Sequence, residues 1–382
     1  MKLRVTSLYI TGFAAALLLL LVPLYAAGQS GAAAQRIRSD QTVFHLVKEA
    51  DGLDHPWALA FLPDGDMLIS ERPGRMLLYS GGDLKVVTGL PDIYASGQGG
   101  LLDIALHPQF EQNRWVYFTY STAGSGGAGT ALYRARLEGT RLTDGEQLYR
   151  LSRLTGTGRH FGSRIVFGPD GYLYMSIGER GDRYRAQQLD DAAGSTLRLN
   201  PDGSIPGDNP FSGRSDVLAE IYSYGHRNAQ GMAVHPQTGE IWQHEHGPRG
   251  GDEVNIIKAG ANYGWPKVSF GEEYRGGPIG EGSVAPGIEA PLIHWTPSIA
   301  PSGMSFYTGD LFSEWRGDLF VGALAGQHLR RLELDGQQVV NQEVLLQGRI
   351  GRIRDVKVGP EGYLWLLTDE QNGSLYRLRP LQ

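Results

Sequence analysis

The chain has 382 residues, of which 54 are glycine and none is cysteine, with 41% hydrophobic residues, 20% charged residues and a formal net charge of −6. Its 18 Tyr, 12 Phe and 7 Trp provide enough apolar surface for a folded core, and the glycines lack the three-residue period of collagen. The acidic balance argues against a nucleic-acid partner, and the absence of cysteine excludes disulfides, thiolate nucleophiles and Cys-ligated metals.

The first segment is typical of an export signal. Lys2 and Arg4 precede an uncharged stretch over residues 5–35, whose centre, 13–22, is wholly apolar. We therefore expect a signal peptide over residues 1–28, a flexible segment over 29–41, and a periplasmic or secreted protein. The uncharged stretch is also long enough to span a bilayer of about 20 helical residues, so an uncleaved anchor that tethers the exported domain is the alternative.

From residue 42 onward one unit recurs: an apolar strand, a turn with proline or glycine, and a second strand rich in aromatic and branched residues. Its six copies begin near residues 57, 102, 164, 231, 303 and 355, and polar third strands follow most of them. Six such hairpins predict an all-β, six-bladed β-propeller over 42–382, with four-stranded antiparallel blades. Residues 42–48 are expected to complete the sixth sheet and close the ring. A β-sandwich is the alternative.

Polar residues stand directly before several predicted inner strands, at positions that a propeller brings to one end of its channel. They are, in chain order, Gln98, His160, Arg227, Asn228, Arg352 and Arg354. A neutral imidazole is suited to removing a proton from an alcohol, and an arginine to holding an oxygen that gains negative charge. Packing or surface roles are the alternatives for the histidine and the arginines.

The segment 244–253 combines carboxylates with glycine turns whose carbonyl groups are free to bind a cation. Oxygen donors of this kind suit Ca²⁺. Zinc on His244 and His246, or a solvated loop without a metal, are the alternatives. The sequence has no P-loop, no nucleophile elbow and no Gly-x-Gly-x-x-Gly on a βαβ unit, which argues against nucleotide and nicotinamide chemistry.

Several separated motifs resemble those of the glucose/sorbosone dehydrogenase family, the soluble aldose sugar dehydrogenases that use pyrroloquinoline quinone (PQQ) on a six-bladed propeller. The resemblance runs from about residue 55 to residue 378 and rests on the order and combination of the motifs. These lie at residues 55–57, 97–103, 159–164, 197–206, 224–228, 246–248, 252–253, 262–266 and 352–355.

The resemblance implies oxidation of an aldose to an aldonolactone, with an external electron acceptor. It makes His160 the base that takes the hydroxyl proton at the anomeric carbon while hydride passes to the quinone, and Arg227 the cation that polarises the quinone carbonyl. The cofactor-contacting positions that it implies are Gln98, Arg227, Asn228, Tyr274, Ala323, Leu324, Ala325, Arg352, Ile353 and Arg354. Ala325 stands where family members commonly carry a lysine, so one implied cation is missing from the anion site.

The resemblance also implies two Ca²⁺ sites. The carbonyl groups of Gly247 and Pro248 would hold the ion that touches the quinone, and Glu253 with the Tyr263 carbonyl would hold a structural ion. Two alternative functions stay open: a calcium-dependent propeller lactonase, and an exported propeller that binds glycans or proteins without catalysis, in which base and cation would lie far apart. We expect a monomer or a homodimer.

Overall fold

The computed structural model describes residues 34–381, so the predicted signal peptide over 1–28 lies outside the described residues. The described chain forms six β-sheets with one short α-helix and two short 3-10 helices. Among residues 34–381, no helix combines the length and the apolar content that crossing a bilayer requires.

The strands follow the chain from blade to blade, and each blade is an antiparallel sheet. Two strands come first: β1 (Gln35–Arg38) and β2 (Val43–Leu53). Blade 1 contains β3 (Pro56–Phe61), β4 (Met67–Glu71), β5 (Arg75–Ser80) and β6 (Asp83–Val87). Blade 2 contains β7 (Leu101–Leu106), β8 (Trp115–Gly124), β9 (Gly127–Glu138) and β10 (Arg141–Arg150), with helix α1 (Phe110–Asn113) after β7. Blade 3 contains β11 (Ile165–Phe167), β12 (Leu173–Ile177), β13 (Ser195–Leu199) and β14 (Ile221–Tyr224), with a 3-10 helix at Arg183–Gln187.

The second half of the chain repeats this arrangement. Blade 4 contains β15 (Ala229–Val234), β16 (Ile241–Glu245), β17 (Asp252–Ile256) and β18 (Ile293–Trp295). Blade 5 contains β19 (Pro301–Phe306), β20 (Leu319–Ala323), β21 (His328–Asp335) and β22 (Gln338–Leu345), with a 3-10 helix at Ser313–Trp315. Blade 6 contains β23 (Ile353–Val358), β24 (Leu364–Thr368) and β25 (Gly373–Pro380).

The sixth blade is completed from the other end of the chain. Strand β2 pairs antiparallel with β25, with Phe44 opposite Pro380 and Leu53 opposite Gly373. The sequence-based expectation that residues 42–48 close the ring is confirmed. Strand β1 pairs with β2 as a fifth strand, so residues 35–38 form an edge strand within the segment that was expected to be flexible.

The first strands of neighbouring blades contact each other in a closed circle: β3 with β7, β7 with β11, β11 with β15, β15 with β19, β19 with β23, and β23 with β3. This circle confirms the predicted six-bladed propeller and excludes the sandwich. The main apolar clusters fill the gaps between adjacent blades, as where Phe44 of blade 6 packs edge-on against Trp315 of blade 5 at 5.6 Å. In five of the six blades every residue of the second strand is buried, because a neighbouring blade covers each of its faces.

In five of the six blades the pairing of the first strand with the second is interrupted at the same end of the strand. Such β-bulges bend a strand and turn a side chain away from the regular alternation. The residues left out of register include Trp57, Leu102, Gln230 and Arg354. All four of these side chains line one cavity at that end of the channel, so the bulges build the site.

A buried guanidinium ties the blades together at the channel centre. Arg164 lies 3.1 Å from an Asp103 carboxylate oxygen and 3.0 Å from an Asp355 carboxylate oxygen, and it donates through Nε to the Gln230 carbonyl at 2.6 Å. Its guanidinium also lies over the Trp57 ring at 4.2 Å. Because the charges are paired and hydrogen bonded, the channel centre is rigid and four blades are held in register around it.

Candidate active site

A cavity of about 250 Å³ opens at the channel end where first strands begin and second strands finish. Every blade contributes to its wall. The lining residues are Trp57, Arg72, Gln98, Leu102, Phe161, Gly162, Asn228, Gln230, His246, Ala300, Leu324, Arg352, Arg354 and Asp369. Five residues expected to contact a cofactor are therefore brought together here: Gln98, Asn228, Leu324, Arg352 and Arg354.

His160 is held in a tight turn beside this cavity. Its backbone has a positive φ of 56°, in the left-handed region that non-glycine residues rarely adopt. Its N–H donates to the Gln98 Oε1 at 2.7 Å. A side chain at Gly178 would overlap the His160 carbonyl oxygen, so glycine is required there for the two loops to approach. Strained backbone held by its surroundings is common at functional sites.

The imidazole of His160 is oriented by a carboxylate. Its Nδ1 lies 2.6 Å from Glu179 Oε1, and the side chains are 12% and 3% exposed. An ionised carboxylate only accepts hydrogen bonds, so Nδ1 carries the proton and Nε2 presents a lone pair. Burial lowers the pKa of His160 below its usual 6.5; the bond to Glu179 raises it part of the way back, and the Arg227 charge lowers it further. The ring is therefore neutral, and Nε2 can accept a proton.

Arg227 is buried and fixed by acceptors on three sides. Its Nη1 donates to the His246 carbonyl at 3.0 Å and to the Gly247 carbonyl at 3.3 Å, and its Nη2 donates to the Tyr274 hydroxyl at 3.3 Å. The guanidinium lies 5.3 Å from the centre of the Trp265 ring. Arg227 is consequently a positive charge of fixed position.

Glu179 connects the base to this cation. Its side chain holds the His160 ring, and its backbone N–H donates to the Arg227 carbonyl at 2.9 Å. The base and the cation thus lie on adjoining loops at one end of the channel. This geometry does not favour the non-catalytic alternative, which would have separated His160 from Arg227.

The opposite wall of the cavity carries two arginines on one carboxylate. Arg352 Nη2 and Arg354 Nη2 lie 3.1 Å and 2.9 Å from the same oxygen of Asp369, and Arg354 also donates to Gln230 Oε1 at 3.1 Å. Burial on its own raises the pKa of Asp369, but Arg354 and then Arg352 outweigh it and hold that pKa well below its usual range. Two guanidinium groups on one carboxylate leave this wall with an excess of positive charge, which suits an anion.

Asn228 fixes the turn that carries His160. Its Oδ1 accepts from the Gly162 N–H at 3.1 Å and from Gln230 Nε2 at 3.3 Å. The Tyr274 side chain is 66% exposed and stands at the rim, where it reaches Arg227. Both residues therefore support the site from positions next to the predicted base and cation.

A second, much smaller cavity of about 10 Å³ lies beside Arg227. It is lined by Glu245, Glu253, Gly247 and Tyr263, among others. Burial raises the pKa of Glu253 to about 8, with a further contribution from the Glu245 charge. A buried carboxylate, Glu245, and a half-buried one, Glu253, next to backbone carbonyls and around a space of about one water molecule are a donor set that fits a hard cation such as Ca²⁺.

His244 and His246, the candidate zinc ligands, are not arranged to bind a common metal ion. His244 is fully buried on β16, and the Nε2 of His246 bonds to the Pro301 carbonyl at 2.5 Å. Within residues 34–381, no group of three or more His, Cys, Asp or Glu side chains gathers around a common point.

Six predicted residues are absent from the linings of the two cavities: His160 and Tyr274, which lie next to them, and four others. Ile353 and Ala323 are buried in apolar clusters between blades, because alternation along β23 and β20 turns their side chains away from the channel. Ala325 is exposed and lines neither cavity, and Pro248 also stands outside both linings. For these four positions the structure places no side chain on a cavity wall.

Three charged residues of the site were not selected from the sequence, because the polar positions chosen for the channel end precede first strands. They are Arg72, Glu179 and Asp369. Arg72 and Asp369 directly follow a second strand, and Glu179 comes two residues after β12. His246 also follows a second strand directly, but the sequence pointed to it only as a zinc ligand. Since first and second strands are antiparallel, the end of one meets the start of the other. A polar residue shortly after β4, β12, β16 and β24 was the available signal.

The chain is similar to known proteins of one family. The Glucose / Sorbosone dehydrogenase family model matches residues 53–377. The chain is 46% identical over 338 residues to the aldose sugar dehydrogenase YliI of Escherichia coli, which covers 86% of this chain and 91% of that protein.

Solved structures show the same likeness. The apo form of the soluble aldose sugar dehydrogenase from Escherichia coli has a TM-score of 0.86 and 45% identity, covering 88% of this chain and 100% of that one. The PQQ-bound form of the aldose sugar dehydrogenase from Streptomyces coelicolor has a TM-score of 0.73 and 31% identity, covering 87% and 96%. On the family match and these identities, the chain belongs to the glucose/sorbosone dehydrogenase family.

Proposed function

We propose that this protein is an aldose sugar dehydrogenase that oxidises the anomeric carbon of an aldose to an aldonolactone, with PQQ and Ca²⁺ as cofactors. The names of its relatives support an oxidoreductase acting on sugars, and one structural neighbour is described as PQQ-bound. The observation that carries the proposal is the His160–Glu179 pair on the loop that adjoins Arg227, next to a cavity whose wall carries three arginines.

His160 serves as the general base. Its Nε2 accepts the proton of the anomeric hydroxyl, while Nδ1 stays bonded to Glu179. As the ring becomes an imidazolium, the Glu179 carboxylate at 2.6 Å stabilises the new charge. Because the lowered pKa keeps the ring neutral beforehand, the base is ready at neutral pH.

Arg227 stabilises negative charge that develops on a reacting oxygen. Its contacts with His246, Gly247 and Tyr274 use three of the five guanidinium N–H groups, and the other two have no partner among residues 34–381. These two donors are fixed before the reaction begins. Preorganised donors of this kind are among the largest contributions to catalysis.

The residues present fit both proposed cofactors. The cavity of about 250 Å³ carries Arg352 and Arg354, which suit the carboxylates of PQQ, and Leu324 adds an apolar surface. PQQ supplies the two-electron acceptor that amino-acid side chains lack. The carbonyl groups of Gly247 and Pro248 would hold the Ca²⁺ that supplies Lewis acidity next to Arg227, and Glu253 with the Tyr263 carbonyl would hold a structural ion. Gly247, Glu253 and Tyr263 all line the smaller cavity.

The proposal also covers the electron acceptor, the location of the protein and its oligomeric state. An external electron acceptor is required for turnover, since the cofactor must be reoxidised. Export to the periplasm or the exterior, with residues 1–28 as a signal peptide or as a membrane tether, is proposed from the sequence alone, and so is a monomeric or homodimeric state.

The test is reconstitution of the purified apoprotein. PQQ, Ca²⁺, an artificial electron acceptor and a panel of aldoses are combined, and acceptor reduction is followed with each component omitted in turn. We expect turnover only in the complete mixture. H160A should lower kcat by at least about 100-fold, while H45Q, a histidine change on β2 away from both cavities, should not. Absence of turnover over the whole panel refutes the proposal, and lactone hydrolysis without PQQ would identify a lactonase.

A further inference from the structure

We propose that Arg72 is a third anion-binding arginine of the main cavity and receives a carboxylate of the bound cofactor. The inference rests on the proposed function, because it assigns a ligand group to a residue of that same cavity. It is drawn from the charge of the cavity wall, from the free donors of Arg72 and from the way its backbone is held.

The arginines in the wall of the cavity outnumber the carboxylates there. Arg72, Arg352 and Arg354 line it, and Asp369 is the one carboxylate among the lining residues. The ring of His246, which also lines the cavity, is already engaged, because its Nε2 bonds to the Pro301 carbonyl at 2.5 Å. Three guanidinium groups, of which Arg354 is buried and the other two are half-buried, face one carboxylate, and this excess of positive charge favours a bound anion.

The three arginines differ in how their donors are used. Arg352 and Arg354 both bond to Asp369, and Arg354 also bonds to Gln230. The Arg72 guanidinium makes no hydrogen bond and no ion pair with any side chain or carbonyl of residues 34–381. Its charge nevertheless reaches Asp369, where it is one of the charges that lower the carboxyl pKa. Arg72 is thus a cation of this wall with all its donors available to a ligand.

The backbone of Arg72 is fixed in position. Its N–H donates to the His55 carbonyl at 3.0 Å, and its carbonyl accepts from the Leu101 N–H at 3.1 Å. A Cβ at Gly100 would overlap the Arg72 carbonyl oxygen, so only glycine allows blade 2 to approach so closely. Arg72 follows β4 directly, as His246 follows β16 and Asp369 follows β24. Its side chain therefore starts from a rigid point at the cavity wall.

The ligand that this arrangement recognises is a molecule with several carboxylates. Guanidinium groups bind carboxylates in a planar, two-point geometry, and Arg72 on blade 1 with the Arg352–Arg354 pair on blade 6 can hold carboxylates at two separate edges of a flat molecule. Ala325, at the predicted position for a further cation, is uncharged and lies outside the cavity. Arg72 is the additional cation that this chain offers.

The test is direct binding of PQQ to apoprotein in the presence of Ca²⁺, measured by isothermal titration calorimetry and by quenching of tryptophan fluorescence, to which Trp57 in the wall contributes. Loss of one charge-assisted contact should weaken binding roughly 10- to 100-fold in R72Q. R349Q removes the same charge from an exposed arginine outside the cavity and should bind like wild type. The wild-type Kd should also rise more steeply with NaCl than that of R72Q.

The outcomes separate the inference from the proposed function. If wild type binds PQQ and R72Q binds it equally well, the Arg72 assignment is overturned and the proposed function stands. If wild type binds no PQQ, the proposed function fails and the assignment fails with it. If R72Q does not fold, R72K keeps the charge without the planar fork, and it should bind roughly 3- to 10-fold more weakly. An unchanged Kd in R72K overturns the assignment.

Discussion

Glu179 offers the sharpest test of how the candidate base is prepared. E179Q keeps the size of the side chain and removes its charge. The Nδ1–Oε1 distance of 2.6 Å and the exposures of 12% and 3% describe a short, largely desolvated contact. A hydrogen bond to a charged group contributes about 1.5–3 kcal/mol, and each 1.4 kcal/mol corresponds to about tenfold in rate. We expect the plateau value of kcat/KM to fall roughly 10- to 100-fold.

The pH dependence makes this prediction specific. The base acts when neutral, so kcat/KM rises with pH through the pKa of His160 and is level above it. In wild type this pKa lies below 6.5, because burial and Arg227 outweigh the opposite effect of Glu179. Removing the carboxylate removes the effect that raises the pKa. The acid limb of E179Q should therefore move to lower pH while its plateau falls.

The assay is steady-state reduction of an artificial acceptor with an aldose, at saturating PQQ and Ca²⁺, over the acid and neutral range. E272Q is the matched control, because Glu272 is an exposed carboxylate that lines neither cavity, and it should leave both plateau and limb in place. An acid limb that moves to higher pH in E179Q, or a plateau equal to that of wild type, would refute the reasoning.

Three further predictions concern the metal, the anion wall and the ring closure. Adding Ca²⁺ to the apoprotein should raise its melting temperature by roughly 5 °C, and E253Q should abolish most of that rise, because Glu253 lies in the small cavity. D369N should cost about 3 kcal/mol at neutral pH, because it leaves Arg354 buried without its carboxylate. The Asp369 pKa is lowered in the folded state, so this stability is present above an unfolded pKa of about 3.9 and is lost as pH falls below it. F44A should cost about 3–5 kcal/mol, because fully buried Phe44 packs on Trp315 where blade 6 meets blade 5.

Each of the three has a contrary result. If Ca²⁺ does not change the melting temperature of the wild-type apoprotein, the proposal that the small cavity binds Ca²⁺ is refuted. A stability difference between wild type and D369N that persists unchanged in strong acid would show that the carboxylate charge is not its source. If F44A unfolds at the same denaturant concentration as wild type, β2 does not hold the ring closed. V86A is the control: it changes an exposed residue on the outer strand β6 and should unfold at nearly the wild-type concentration.

Much of the fold was predictable because blade formation is local. Each blade begins with a hairpin whose turn and alternating side chains lie within a short stretch of chain, so the six copies could be counted and the closing strand at 42–48 anticipated. The same reasoning selected His160, Arg227 and Arg354 as polar residues before first strands. The sequence did not show which of the neighbours Ile353 and Arg354 faces the cavity. In the structure a bulge turns Arg354 into the cavity, and Ile353 is buried between blades.

The sequence by itself therefore determined the number of blades and the end of the channel that carries polar groups, since these depend on contacts between near neighbours in the chain. It also indicated the closing strand, although that strand pairs residues as far apart as Phe44 and Pro380. Only the tertiary structure decided that Glu179 holds His160, that Asp369 joins Arg352 to Arg354, and that Arg72 faces the same cavity. Arg72 and Asp369 lie in the first and last blades, and they become neighbours only because the ring closes, which no local pattern of residues encodes.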